Sequence, residues 1–318
     1  MVRVGVLGVG SMGQNHARIY GRLRTQCDFI GLYDPDFERA SSLASMYNTK
    51  AYSNMDELID QVDAVSIAVP TKLHYEIAKK VLNYKKHTLI EKPITTEIDD
   101  AVFINNLAKE NNLVLQVGHI ERFNPAVQEL KKIIDSEDVL AIDFKRLSPY
   151  DPRTKDTDVV QDLMIHDLDI VKFLFPNLVF HQIQAVGQSP ITKNTADYAQ
   201  VLMHEPNLMI SLTASRITEE KIRTISVHTR HAFISADLIE RKIIVSRRTS
   251  VSFENERNSS YRQESIIERV YVPNYEPLQV QLESFLDCVS KGGKPLVTGE
   301  DGLYALSMVE NIRQKIYL

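Results

Sequence analysis

The stretch VRVGVLGVGSMGQNHARIY, residues 2–20, constrains the fold more than any other. A short valine-rich run meets the turn Gly8-x-Gly10-x-x-Gly13, and a helical pattern follows. The three glycines do different things. Gly8 permits the sharp turn, Gly10 leaves room for a pyrophosphate to approach the backbone, and Gly13 lets the helix lie close on the strand. Ser11 and Met12 open that helix, where unpaired N–H groups attract an anion. The next strand, FIGLYD, ends in Asp34, about 20 residues on, the interval expected for an acid that binds the adenosine ribose. Its charge repels a 2'-phosphate, so NAD is the expected cofactor, while Arg39 keeps NADP open as the alternative.

Further strands are predicted at AVSIAVP, HTLIEKP and LVLQVG, with helical patterns between them. Such alternation means a parallel sheet wound on both sides, and ligands lie at the carboxyl ends of its strands. Those ends carry Pro70, Thr71 and His74, then Glu91 and Lys92, then Gly118 and His119. After HIERFNP the pattern changes to long strands with short turns, which predicts a mostly antiparallel sheet. The expected fold is therefore α/β: a doubly wound Rossmann domain over 1–120, then an α/β domain with a large open sheet over 121–318. The segment FENERNSSYRQES, 253–265, reads as a loop, and the C-terminal helix 301–318 is able to pack back on the first domain.

Composition narrows the function classes. With 318 residues, 43% of them hydrophobic, the chain is long enough for two cores. A net charge of -5 argues against a nucleic-acid binder, and the pairs Lys85-Lys86 and Arg247-Arg248 read as solvated faces. Two cysteines, Cys27 and Cys288, offer neither a zinc ribbon nor a disulfide framework. No leader or membrane-length apolar run is present, so a cytoplasmic location is expected.

QDLMIHDLDI, 161–170, raises a separate question, because a helix there puts Asp162, His166 and Asp169 on one stripe of a largely apolar cylinder. That stripe is costly unless water, a metal or a substrate uses it. Carboxylate and imidazole suit several metals, although no second ligand set points to the same place. A plainer reading makes Asp167 and Asp169 surface or capping groups and His166 a buried, hydrogen-bonded histidine.

Six segments in order and register, GVGSMGQNH, VPTKLH, EKP, GHIERFNP, VVQDLMIHDLD and PLVTGEDGLYAL, resemble the GFO/IDH/MocA oxidoreductase family over nearly the whole chain. The resemblance implies NAD(P)-dependent oxidation of sugars, inositols or nucleotide-sugars, and an open C-terminal sheet that mediates dimers. It also implies that the catalytic lysine is Lys92 and that the paired aspartate and histidine are Asp162 and His166. Chemistry agrees: removing a hydroxyl proton as the hydride leaves requires a base, which His166 supplies. Asp162 orients or stabilises the imidazole, and Lys92 stabilises the developing alkoxide.

GHIERFNP and VVQDLMIHDLD are most similar to members that oxidise the 3-hydroxyl of UDP-N-acetylglucosamine or related uronates to a 3-keto sugar. A free polyol or inositol dehydrogenase is the alternative, and a non-catalytic NAD(P)-binding regulatory module the alternative from another class. For substrate contact the candidates are Lys92, Arg122, Asn124, Asp162 and His166, with an N-cap role equally open to Asn124 ahead of Pro125. Arg216, Lys221 and Arg223 are candidate cations for a diphosphate. His16 and His74 read as structural or cofactor-packing groups, and a homodimer or homotetramer is expected from the open sheet.

Overall fold

A computed structural model describes residues 1–152, 157–253 and 261–317, and its contacts divide into two compact units. The first comprises Met1–Phe123 with Tyr275–Met308, the second Asn124–Asn274 with Val309–Leu318. Segment 275–308, placed in the second domain by sequence, is thus part of the first unit. Its helix carries Leu278, Leu282, Phe285 and Leu286, which share one apolar cluster with Val4, Ile19 and Tyr20.

In the first unit six strands, β1 (Val2–Leu7), β2 (Cys27–Tyr33), β3 (Lys50–Tyr52), β4 (Ala64–Ile67), β5 (His87–Ile90) and β6 (Leu115–Val117), pair in the order β3-β2-β1-β4-β5-β6. All pairs are parallel. Strands buried on both faces are near-continuous apolar runs, as β4 is, and helices cover each face. One face packs α1 (Ser11–Arg22), α2 (Phe37–Met46) and α8 (Pro277–Lys291); the other packs α3 (Met55–Gln61), α4 (His74–Asn83) and α5 (Ile98–Glu110). This is a doubly wound dinucleotide-binding order, and β3 is the one strand the sequence pattern did not mark.

The second unit begins with α6 (Pro125–Ile134) and β7 (Val139–Leu147). A π-helical turn (Val160–Met164) then runs into α7 (Ile165–Leu174). Seven further strands follow: β8 (Gln182–Gln188), β9 (Tyr198–Glu205), β10 (Leu208–Ser215), β11 (Ile222–Thr229), β12 (Ala232–Asp237), β13 (Lys242–Phe253) and β14 (Tyr261–Val270). Their order is β14-β13-β12-β11-β7-β10-β9-β8, antiparallel except where β7 pairs with β10. Strand alternation buries one face only: Ile142, Phe144 and Arg146 are buried while Lys145 between the last two is exposed.

Two expectations change here. AFISADLIERKIIVSRR is a hairpin of β12 and β13 rather than one strand, and Arg241 in its turn adopts a positive φ of 53°. The predicted loop 253–265 is shorter, because Phe253 ends β13 and Tyr261 starts β14, which pair antiparallel with one register shift between Arg248 and Ser250; 254–260 lie outside the described residues. The final helix, α9, runs Gly299–Tyr317.

Candidate active site

At the carboxyl ends of β1, β2, β4 and β5 lies a cavity of about 780 Å³. Gly8, Gly10, Ser11, Met12, Asp34, Arg39, Pro70, His74, Glu91 and Lys92 line it, so ten of the twelve predicted cofactor residues come together. Gly13 and Thr71 do not line it. Gly13 works from beneath: a Cβ there would lie 1.9 Å from the carbonyl oxygen of Gly8, so only glycine lets α1 approach β1. Thr71 opens a short 3-10 turn, Thr71–Leu73. Sequence reasoning missed the apolar wall of Tyr33, Met55, Leu73 and Ile77, which no local signal marks because any apolar side chain serves.

The residues fit a dinucleotide. Gly8 has a φ of +86°, and no atom lies within 4 Å of where a Cβ on Gly10 would sit, which leaves open space over the backbone. No side chain caps α1 at Gly10 and no acid stands in its first turn, so its N–H groups face an anion without a competing carboxylate.

Asp34, at the rim, is 6% exposed. It accepts the N–H of Val9 at 2.8 Å and of Asp36 at 2.9 Å, and Arg39 Nη2 lies 2.7 Å away. Burial pushes its carboxyl up, but these donors outweigh that and hold it below the usual carboxylate range. Asp34 therefore holds the glycine turn as well as offering oxygens to a ribose. The adjacent guanidinium offsets the charge that would repel a 2'-phosphate.

Lys92 is half-buried on a turn held from three directions. His16 of α1, fully buried, places Nε2 2.9 Å from Glu91 Oε1. Gly118 leaves so little room that a Cβ would stand 2.8 Å from the Glu91 carboxylate. His74 sits with one ring nitrogen 2.8 Å from the Pro93 carbonyl oxygen and the other 2.9 Å from that of Val69. Burial outweighs the two carbonyls, which favour the charged ring, and drives the His74 pKa down. Both histidines thus pack around the turn that carries Lys92.

In the second unit the expected α-helical stripe is modified. Asp162 lies in the π-helical turn and His166 in the first turn of α7, both half-buried, so a wider turn sets their relative direction. Asp167 and Asp169 are not surface groups: they are 3% and 0% exposed, and Asp167 accepts Arg146 Nη2 at 2.7 Å and Nε at 3.0 Å. Among the described residues no group of three or more His, Cys, Asp or Glu side chains is placed to hold a metal ion.

Other candidates are engaged in the scaffold. Arg122, 4% exposed, donates to the Leu296 carbonyl at 3.0 Å and meets Asp301 at 3.0 Å. Asn124 caps α6, accepting the Ala126 N–H at 3.0 Å, and donates to the Leu238 carbonyl at 3.1 Å. Arg216 is 3% exposed, pairs with Asp197 at 2.7 Å and donates to the Thr157 carbonyl at 2.6 Å. As a surface cation for a diphosphate it is ruled out by its burial, whereas Lys221 is exposed and Arg223 half-exposed.

Two family models match the chain: "Oxidoreductase family, NAD-binding Rossmann fold" over residues 2–119, and "Oxidoreductase family, C-terminal alpha/beta domain" over 144–316. Among curated proteins it is 31% identical over 316 residues to a UDP-N-acetylglucosamine 3-dehydrogenase of Acidithiobacillus ferrooxidans, covering 98% of this chain and 96% of that one. A solved structure of that dehydrogenase superposes with a TM-score of 0.89 at 30% identity, covering 99% and 98% of the two chains. A scyllo-inositol 2-dehydrogenase (NAD(+)) of Bacillus subtilis is 23% identical over 325 residues, 96% of this chain and 92% of that one. With both family models in register and a glycine turn shaped for a dinucleotide, the chain belongs to the GFO/IDH/MocA family and is an NAD-binding oxidoreductase acting on CH–OH groups.

Proposed function

We propose that the protein oxidises the 3-hydroxyl of a UDP-N-acetylhexosamine to a 3-keto sugar, with Lys92, Asp162 and His166 as its catalytic residues. The observation that carries the reading is the full-length similarity, 31% over 316 residues, to a dehydrogenase whose name states that substrate and position. Bound NAD supplies the hydride acceptor. His166 takes the hydroxyl proton, Asp162 orients the imidazole and steadies its charged form, and the Lys92 ammonium stabilises the alkoxide as it develops. Lys221 and Arg223 remain the cations offered to the diphosphate.

Thermal melting with NAD present, across UDP-N-acetylglucosamine, free hexosamines and inositols, tests the substrate class, since a ligand that binds the native state raises the melting temperature. UDP-N-acetylglucosamine should give the largest rise and should support NADH formation. NADH formation from an inositol, with none from the UDP-sugar, overturns the reading and favours the polyol alternative.

Homo-oligomers through the open sheet are part of the same proposal. Leu202, Met209, Phe233 and Ile267 share its uncovered face, as the strand register requires, and are 38%, 46%, 41% and 66% exposed. A second copy would remove that apolar surface from water. Light scattering that reports a monomer at micromolar concentration excludes it.

A further inference from the structure

The start of the helix that bears Asp162 and His166 is closed by a ring of hydrogen bonds, part-buried at its outer edge, through the last turns of the chain. Val159 N–H donates to the Ala196 carbonyl at 3.0 Å, and Ala196 N–H donates to Tyr317 Oη at 2.8 Å. The Tyr317 hydroxyl donates to Asp158 Oδ2 at 3.2 Å, and Asp158 is bonded through the chain to Val159, which completes the ring. The other oxygen, Oδ1, accepts the N–H groups of Val160 at 3.1 Å and Gln161 at 2.9 Å, the first donors of the π-helical turn. Arg313 Nε adds a charge-assisted bond to Oδ2 at 2.8 Å. Asp158, Val159 and Ala196 are 2%, 0% and 1% exposed, while Tyr317, 46% exposed, reaches them from the surface, so the buried carboxylate is partnered by donors at its rim.

A π-helical turn is a rare choice for a chain whose default is the α-helix, and such turns appear mostly as single turns inside helices, frequently at functional sites. Here the turn contains Asp162, and the α-helix that follows contains His166 in its first turn. We infer that Tyr317 and Arg313, at the carboxyl end of α9, are positioning residues that act through Asp158 to fix the direction of Asp162 relative to His166. This rests on the catalytic assignment proposed above, because only that assignment gives the direction a function. Burial raises the Tyr317 phenol above its ordinary range, which keeps the hydroxyl protonated and able to donate at any working pH. Close packing supports the same placement: a Cβ on Gly187 of β8 would lie 2.6 Å from Ile316 Cγ2, so α9 sits against the sheet with no slack.

The test uses the full-length protein, NAD and UDP-N-acetylglucosamine, with the histidine rings carbon-13 labelled for NMR. Tyr317→Phe keeps the ring and removes only the hydroxyl. It should lower kcat by about tenfold to a hundredfold, the scale of a small misplacement, with the KM for NAD unchanged because the glycine turn belongs to the other unit. The His166 ring resonance, assigned from its loss in His166→Ala, should move in Tyr317→Phe while the His74 and His16 resonances stay in place. Arg313→Lys, which retains one charged donor, should recover most of the kcat that Arg313→Met loses.

An unmoved His166 resonance in folded Tyr317→Phe overturns the inference whatever happens to turnover. Equal losses in Arg313→Lys and Arg313→Met also overturn it. Full turnover in His166→Ala would instead overturn the catalytic assignment, and the resonance would still report whether α9 sets the helix direction.

Discussion

Asp34 and Asp197 are both buried carboxylates paired with arginine, yet the two units seal their pairs differently. In the first unit Arg39 is 47% exposed while Asp34 is 6% exposed. In the second, the side chains of Arg216 and Asp197 are 3% and 0% exposed, and those of Arg146 and Asp167 are buried likewise. A pair open on one side can be adjusted, since the guanidinium can swing into water when a ribose or phosphate arrives. Sealed pairs cannot, because each charge left behind would be stranded in a medium that solvates it poorly. The cofactor rim is thus built to exchange partners, and the sheet unit is built to hold its helix still.

The largest test of this division is His166→Ala, which should lower turnover by about 10²- to 10⁴-fold while leaving NAD affinity unchanged. Titration of NAD by calorimetry beside steady-state rates checks both halves, and a loss of NAD binding would break the division. Arg216→Ala comes next: Asp197 keeps the N–H groups of Ile191 and Thr192 but loses its charged partner, which should cost at most about 3–5 kcal/mol, read from denaturant unfolding. If that variant unfolds like wild type, the sealed pair is not structural.

Gly13→Ala is expected to cost about 1–3 kcal/mol, as overpacking does, and to weaken NAD binding, because the new Cβ must push α1 away from β1. Arg39→Ala should change stability by at most about 1 kcal/mol, since exposed ion pairs contribute little, while weakening NADP more than NAD. Loss of NAD alone would reverse the role given to the guanidinium.

A smaller effect concerns pH. Burial lowers the pKa of both His74 and His87 in the first unit. Below their unfolded value of about 6.5 the unfolded chain binds protons that the buried rings refuse, so stability is present above that pH and is lost as pH falls towards the folded values. Unfolding midpoints at about pH 7.5 and about pH 5.5 measure this, and His87→Gln should show the shallower slope. An equal slope in that variant would assign the pH dependence elsewhere.

Much of the first unit was legible because its constraints are local. Gly8, Gly10 and Gly13 are dictated by backbone shape within one turn, and Asp34 follows at the length of one helix and strand. The second unit was legible as alternating strands, but the hairpin at 238–241 was not, because LIER carries no glycine or asparagine to announce it. The roles of Arg122, Asn124 and Arg216 were misplaced or ambiguous for one reason. A cation's partner lies far along the chain, as Asp301 does for Arg122, and periodicity records only neighbours.

What the sequence determined by itself is the alternation of strands and helices apart from β3 and the β12–β13 hairpin, the glycine turn that takes a dinucleotide, and the family those motifs mark. Only the tertiary structure decided that Arg216 is sealed against Asp197 and that Glu91 is wedged between His16 and Gly118. It also decided that the helix of Asp162 and His166 opens in a π-helical turn tied to Tyr317, 159 residues from its partner Asp158. The physical reason is range. Turn geometry and amphipathic pattern are set by residues a few positions apart, whereas the energy of a buried polar group depends on whichever distant donor the fold delivers to it.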